Sequence, residues 1–193
     1  MKILREVGIT VLIAVVVFVC LRLTVQSYTV VMSSMEPTFQ QGDCIMVNKL
    51  SYRSGGPQRG DVIVFNPPFE SEFPFIKRVI GLPGETVEIT NGMVTINGTP
   101  IGEDQYIAER PDYTMLALKI PVDEYFVLGD NRNNSNDSHN GWTVPRENII
   151  GKAWFIYWPP SKLGVVKHYS YPALTETVVQ GTIVRHSFGV QLE

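Results

Sequence analysis

Two short segments carry the residue types from which a hydrolytic site can be built: Ser34-Met35-Glu36-Pro37-Thr38 and Phe75-Ile76-Lys77-Arg78-Val79-Ile80-Gly81-Leu82-Pro83-Gly84-Glu85. A serine hydroxyl is a weak nucleophile near neutral pH until a neighbouring base takes its proton, and a lysine can be that base if its surroundings keep it uncharged. Free lysine has a pKa of about 10.4, and burial among apolar groups lowers it. Phe75, Ile76, Val79 and Ile80 supply such neighbours to Lys77. Each residue also has a plainer reading. Ser33 and Ser34 suit the capping of a short turn over 35–39, and a lysine on an edge strand discourages aggregation. A third segment, Gly129-Asp130-Asn131-Arg132-Asn133-Asn134-Ser135-Asn136-Asp137-Ser138-His139, follows an apolar run at 125–128. Loops at strand ends often support catalysis, and the same composition also suits a solvated turn.

The elements that must position these residues read as mainly β. After Ser27, short runs rich in Val, Ile and Phe alternate with Gly, Pro and Asn, a strand-and-turn signature. Strands are predicted at 28–31, 44–48, 61–65, 75–80, 86–89, 93–96, 124–128 and 151–158. Asn91-Gly92 marks a tight hairpin, since both residues tolerate positive φ, and the Gly- and Pro-containing stretches 51–60 and 66–74 read as loops. Ahead of this region, residues 7–21 carry no charge. A helix spanning hydrocarbon needs roughly 20 residues, so Ile3 and Leu4, or the residues beyond a snorkelling Arg22, complete the length. Residues 7–25 are therefore read as a transmembrane anchor. Lys2 and Arg5 precede it and, past Arg22, no cation follows until Lys49, which places 1–6 in the cytoplasm and 28–163 on the other side. A cleavable signal peptide ending near Val25-Gln26-Ser27 is the competing reading.

Composition narrows the remainder. At 193 residues the chain suits one compact domain with a small insertion. A net charge of -3 gives no electrostatic reason to expect nucleic-acid binding. His139, His168 and His186 are scattered, without metal-ligand spacing to Cys, so no metal is expected. Cys20 and Cys44 read as reduced packing residues. Residues 164–193 carry no motif and form a C-terminal extension whose role, like the oligomeric state, is open.

Taken in order, Ser-Met-x-Pro-Thr, then Arg59-Gly60-Asp61-Val62-Ile63-Val64-Phe65, then Lys-Arg-Val-Ile-Gly-Leu-Pro-Gly-Glu, then Gly-Asp-Asn-Arg-x-x-Ser-x-Asp-Ser, this chain closely resembles the type I signal peptidases over residues 1 to about 160. These are the serine-lysine leader peptidases of bacterial and organellar membranes. The resemblance implies one transmembrane helix followed by a twisted antiparallel β catalytic domain. A smaller β region is inserted, here at about 86–122, with room for one hairpin and a loop. It implies a membrane-bound serine endopeptidase that removes N-terminal signal peptides from exported preproteins after small residues of the Ala-x-Ala type, without a cofactor. The partners so implied are preproteins and membrane lipid, in a cell membrane or a thylakoid or other organellar membrane. By the same resemblance Ser34 is the nucleophile, Lys77 the general base and Ser135 the residue that orients the lysine. Asp130, Arg132 and Asp137 hold the site together. Tyr28, Val30, Val31 and Ile76 correspond to the apolar walls of shallow pockets for the third and first residues before the cut.

Two departures stand out. Many members carry a serine two residues before the nucleophile, where its hydroxyl helps bind the oxyanion; here the position is Met32, and a thioether cannot donate. A backbone-dominated oxyanion hole and slow turnover are expected. At His139 many members carry an arginine paired to the aspartate two residues earlier, so Asp137 is expected to pair with Arg78 and leave His139 a lesser partner. Two other classes stay open: a silent relative that binds exported proteins, suggested by Met32, and a self-cleaving serine-lysine regulator, suggested by Val25-Gln26-Ser27.

Overall fold

A computed structural model of the chain describes residues 2–171 and 174, with the side chains at 4, 20, 21 and 23 excepted. Helix α1, Lys2–Thr24, leads directly into the first strand. Its apolar side chains, among them Val7, Leu12, Val16 and Phe18, point outward and are exposed. Among the described residues, no helix is long and apolar enough to cross a membrane.

The strands are β1 Val25–Thr29, β2 Cys44–Asn48, β3 Val62–Phe65, β4 Phe75–Gly81, β5 Thr86–Thr90, β6 Met93–Ile96, β7 Thr99–Pro100, β8 Met115–Lys119, β9 Glu124–Leu128, β10 Val144–Pro145, β11 Ile149–Trp158 and β12 Gly164–Val165. They form two antiparallel sheets. The larger runs β1-β2-β11-β3-β4-β9-β10, with β12 added to β11, and the smaller runs β7-β6-β5-β8. The unbroken apolar run Val62-Ile63-Val64-Phe65 follows from burial on both faces. Val62 and Val64 join one core cluster with Met35, Phe39, Ile45 and Val47, while Ile63 and Phe65 join another with Val79, Val127 and Val144. β5, by contrast, alternates buried and half-buried positions, as a strand covered on one side must.

Most predicted strands fall on observed ones. The first is displaced: the strand is β1, beginning three residues earlier than 28–31, and backbone bonds carry the pairing only one residue further, through Val30 N–H to Asp43 O at 2.8 Å. The insertion is larger than one hairpin. Asn91 and Gly92, at φ 53° and 72°, turn β5 into β6 as the sequence suggests. Asn97 and Gly98, at 51° and 80°, repeat that turn into β7, and β8 returns to pair with the other edge of β5. β8 escapes a sequence reading because Leu116 is 84% exposed and its pattern is not a clean alternation. The small sheet packs onto the large one through a cluster of Ile80, Val87, Ile89, Ile96, Ile120, Phe126 and Leu128. Gly81 sits in that seam, where a Cβ would lie 2.3 Å from Ile120 Cδ1. Of the two cysteines, Cys44 is a free thiol; the Cys20 side chain lies outside the described residues.

Candidate active site

Ser34 sits in a tight turn that leaves β1. Glu36 N–H donates to Ser33 O at 3.0 Å and Phe39 N–H to Met35 O at 2.9 Å, and the Glu36–Pro37 peptide is cis. Met35 and Phe39 are completely buried and pin the turn into the core, so Ser34 is held at the surface of that core with 7% exposure. Opposite, the β3–β4 register places Lys77 beside Ile63, and its long side chain reaches the serine. Lys77 Nζ donates to Ser34 Oγ at 2.7 Å and to Ile76 O at 3.0 Å. Its ammonium also lies 5.3 Å from the Phe75 ring centroid. Burial lowers the Lys77 pKa to about 8, and Asp137 and Asp130, which pull it upward, offset only part of that effect. A buried amine on a serine hydroxyl, titrating near neutrality, is an arrangement for general-base activation of an oxygen nucleophile.

The polar loop 129–139 wraps this pair from the side. Asn131 N–H donates to Ser34 O at 3.1 Å, and the Asn131 amide donates to Ser33 O at 3.1 Å. Gly129 presses so close that a Cβ there would lie 2.4 Å from Ser34 O. Asp137, wholly buried, accepts from Gly129 N–H at 2.8 Å. The loop is thus tied to the backbone of the Ser34 turn through Asn131 and closed on itself by Asp137.

Other expected partners are arranged differently. Arg78 pairs with Asp130, not Asp137: Nε donates to Oδ1 at 2.8 Å and Nη2 to Oδ2 at 2.6 Å, with both side chains fully buried. The reason is strand alternation. Arg78 projects from the face of β4 opposite Lys77, and Asp130 turns to that same side just past the end of β9. Asp137 instead holds His139, whose Nδ1 lies 2.7 Å from Oδ1. His139 stacks on Tyr113, ring centroids 4.3 Å apart. Neither serine nor lysine is bonded to His139. Ser135 Oγ is buried but makes no hydrogen bond to Lys77 or to any other described group. It packs over Gly129, whose added Cβ would lie 2.3 Å from it. Arg132 grips Glu103 of the inserted region with Nη1 and Nη2, both at 2.6 Å, and donates to Gly129 O. Tyr28 and Ile76 pack around Val30 in the core cluster under the turn, whereas Val31 and Met32, 61% and 68% exposed, line its open rim.

Sequence reading missed several contributors. Thr38 donates to Asp130 Oδ2 at 2.5 Å, and its place within Ser-Met-x-Pro-Thr was a usable signal. Asn131 lies inside the quoted loop motif and was likewise visible. Glu103 and Tyr106 come from the inserted region, where no local pattern distinguishes them.

Known proteins agree with this frame. The family model described as signal peptidase, peptidase S26, matches residues 3–158. Signal peptidase I of Leptolyngbya laminosa is 51% identical over 138 residues, 68% of each chain. Signal peptidase I of Bacillus amyloliquefaciens is 37% identical over 165 residues, 80% of this chain and 85% of that one. The Arabidopsis thaliana protein named thylakoidal processing peptidase 1, chloroplastic, is 40% identical over 141 residues, 68% of this chain but 41% of its own length. With a matched model over most of its length and relatives at these identities, the chain belongs to the signal peptidase family, peptidase S26.

Proposed function

We propose that Ser34 and Lys77 are the catalytic dyad with which this serine endopeptidase removes signal peptides from preproteins. The observation that carries this reading is the buried 2.7 Å contact between Lys77 Nζ and Ser34 Oγ, with the lysine titrating near pH 8. Neutral Lys77 takes the Ser34 proton as Oγ attacks the scissile carbonyl, and the resulting ammonium returns the proton to the leaving amine. The acyl-enzyme is then hydrolysed by a water that the same, again neutral, lysine deprotonates. Ser135 Oγ, buried and unpaired, is a partner within the site for the lysine once it changes charge. Gly129 and Asn131, tied to the Ser34 carbonyl, hold the nucleophile's backbone N–H toward the oxyanion. Tyr28, Val30, Val31 and Ile76 limit the pockets before the cut to small side chains, which supports an Ala-x-Ala preference.

α1 is the anchor in this reading. Its uncharged run, 7–21, is shorter than the roughly 20 residues a span needs. The apolar sequence on both sides supplies the rest, with Arg22 at the interface and positions 1–6 on the cytoplasmic side. The exposed Val31 and Met32 rim then faces the bilayer from which substrates arrive. The stretch Val25-Gln26-Ser27, suggestive of self-processing in the sequence, is paired along β1 with β2, which gives that alternative no support.

Cleavage of a preprotein bearing an Ala-x-Ala site, in detergent or lipid, tests the assignment. Ser34→Ala is expected to leave no product above background; product at the wild-type rate would discard Ser34 as nucleophile. Met32 gives a second expectation. Removing one oxyanion donor slows other enzymes on the order of 100- to 1000-fold, so Met32→Ser, by adding a hydroxyl at the rim, should raise kcat. An unchanged or lower kcat would show that the backbone donor suffices.

A further inference from the structure

We infer that the segment between β12 and Tyr171 is a strap that positions the Ser34 turn through Arg78, with Tyr169 as its positioning residue. This rests on the Ser34–Lys77 reading. The strap lies beyond residues 3–158, the part of the chain that the family model matches. It is nevertheless fastened at four points, three on the catalytic layer and one, through Tyr106, on the inserted region. Val166 N–H donates to Trp154 O at 2.9 Å, and His168 Nδ1 lies 3.3 Å from Asp61 Oδ1. The Tyr169 ring faces the Arg78 guanidinium, 5.1 Å from its carbon, and Tyr171 OH meets Tyr106 OH at 3.0 Å. The Tyr106 ring covers the same guanidinium at 4.3 Å, its centroid 5.0 Å from that of Tyr169.

Gly60 shows how closely the strap is seated. Its φ is +90°, and a Cβ there would lie 2.6 Å from Tyr169 O. Gly60 O in turn accepts from Arg78 Nη1 at 2.9 Å. The guanidinium is therefore fixed by two aromatic faces, one carbonyl, one carboxylate and, at 3.5 Å, the Thr38 hydroxyl, and only the Tyr169 face comes from outside the matched residues. Cation–π contacts strengthen when desolvated, and Arg78 is completely buried.

What Arg78 holds is the reacting pair. Its neighbour in β4 is Lys77. Its carboxylate partner, Asp130, accepts from Thr38 of the Ser34 turn and stands between Gly129 and Asn131, the two residues that touch Ser34 O. A sideways shift of the guanidinium thus moves both ends of the 2.7 Å contact between Lys77 Nζ and Ser34 Oγ. Misplacement of reacting groups by about 1 Å can cost on the order of 100-fold in rate.

The test varies the π-face of residue 169 in the full-length protein while keeping its shape. Tyr169→Phe is expected to hold kcat within about twofold. Tyr169→Leu is expected to lower it about tenfold with KM unchanged. Mono-, di- and trifluorinated phenylalanines at position 169, which withdraw π-density with little change in bulk, should lower kcat stepwise. A merely structural role would produce no such series, and the series holds even if the leucine variant folds poorly. A flat fluorine series, an equal loss in Tyr169→Phe and Tyr169→Leu, or a change confined to KM would overturn the strap. Ser34→Ala in the same assay separates the two readings: activity there removes the dyad itself, whereas an inactive Ser34→Ala beside a flat series removes only the strap.

Discussion

Lys77→Met is expected to abolish cleavage, by at least about 1000-fold, and at the same time to stabilise the protein. Both effects come from one cause. Burial lowers the Lys77 pKa from 10.5 to about 8, so the folded protein resists a proton that the unfolded chain accepts. Below about pH 8 the folded state carries the full cost of the charge. As pH rises from there to 10.5 the cost fades, and above 10.5 both states are neutral and it is gone. Such a shift corresponds to on the order of 3 kcal/mol near neutrality. Methionine fills a similar volume without charge but forfeits the bonds to Ser34 Oγ and Ile76 O, each worth about 1 kcal/mol net. The expected gain is therefore about 1 kcal/mol in thermal unfolding near neutral pH, vanishing or reversing at strongly alkaline pH. A wild type more stable than Lys77→Met near neutral pH would mean that the site tolerates the ammonium. The activity of the wild type carries the same signature. Its rate should climb about tenfold per pH unit below about pH 8 and level off above; a flat profile across that pH would count against Lys77 as the base.

Arg78→Ala is expected to have the largest effect on stability. It strands the fully buried Asp130 carboxylate and leaves Gly60 O without its donor. Breaking a buried pair from one side costs about 3–5 kcal/mol, against a total stability of roughly 5–15 kcal/mol for a domain. Burial alone would favour loss of the Arg78 proton, yet the hydrogen bonds and charge of Asp130 hold the guanidinium's pKa above its ordinary value. Denaturant unfolding of Arg78→Ala, Asp130→Ala and the double variant gives the coupling. The double variant should lose clearly less than the sum of the singles; strict additivity would show that the two charges do not depend on each other.

The site and its frame were unequally legible in the sequence. Ser34 and Lys77 were visible because a nucleophile and a base each stand in a short segment whose composition is itself informative. The hairpin at Asn91-Gly92 was visible because positive φ is a local demand that few residues meet. β8 and β7 were not, since a half-exposed strand and a two-residue strand leave no period to detect. The partner of Arg78 was misjudged for a physical reason. Asp130 and Asp137 are seven residues apart in one loop, and only the pairing of β4 with β9 decides which carboxylate reaches which face. Ser135 shows the same limit, for its hydroxyl packs over Gly129 and not on the lysine.

By itself, then, the sequence determined the class of chemistry and the mainly β domain, and it singled out Ser34 and Lys77 as the candidate pair. Those depend on residue type and local pattern. Tertiary structure alone decided that Lys77 is buried deeply enough to titrate near pH 8, and that Arg78 is clamped by Asp130 and two tyrosines. It also decided that residues beyond β12 return to the catalytic layer. Each of these depends on groups distant in sequence meeting in space, as Lys77 and Ser34 do across 43 positions and Arg78 and Asp130 across 52. Desolvation and pairing of buried charge are properties of that meeting and of no segment alone.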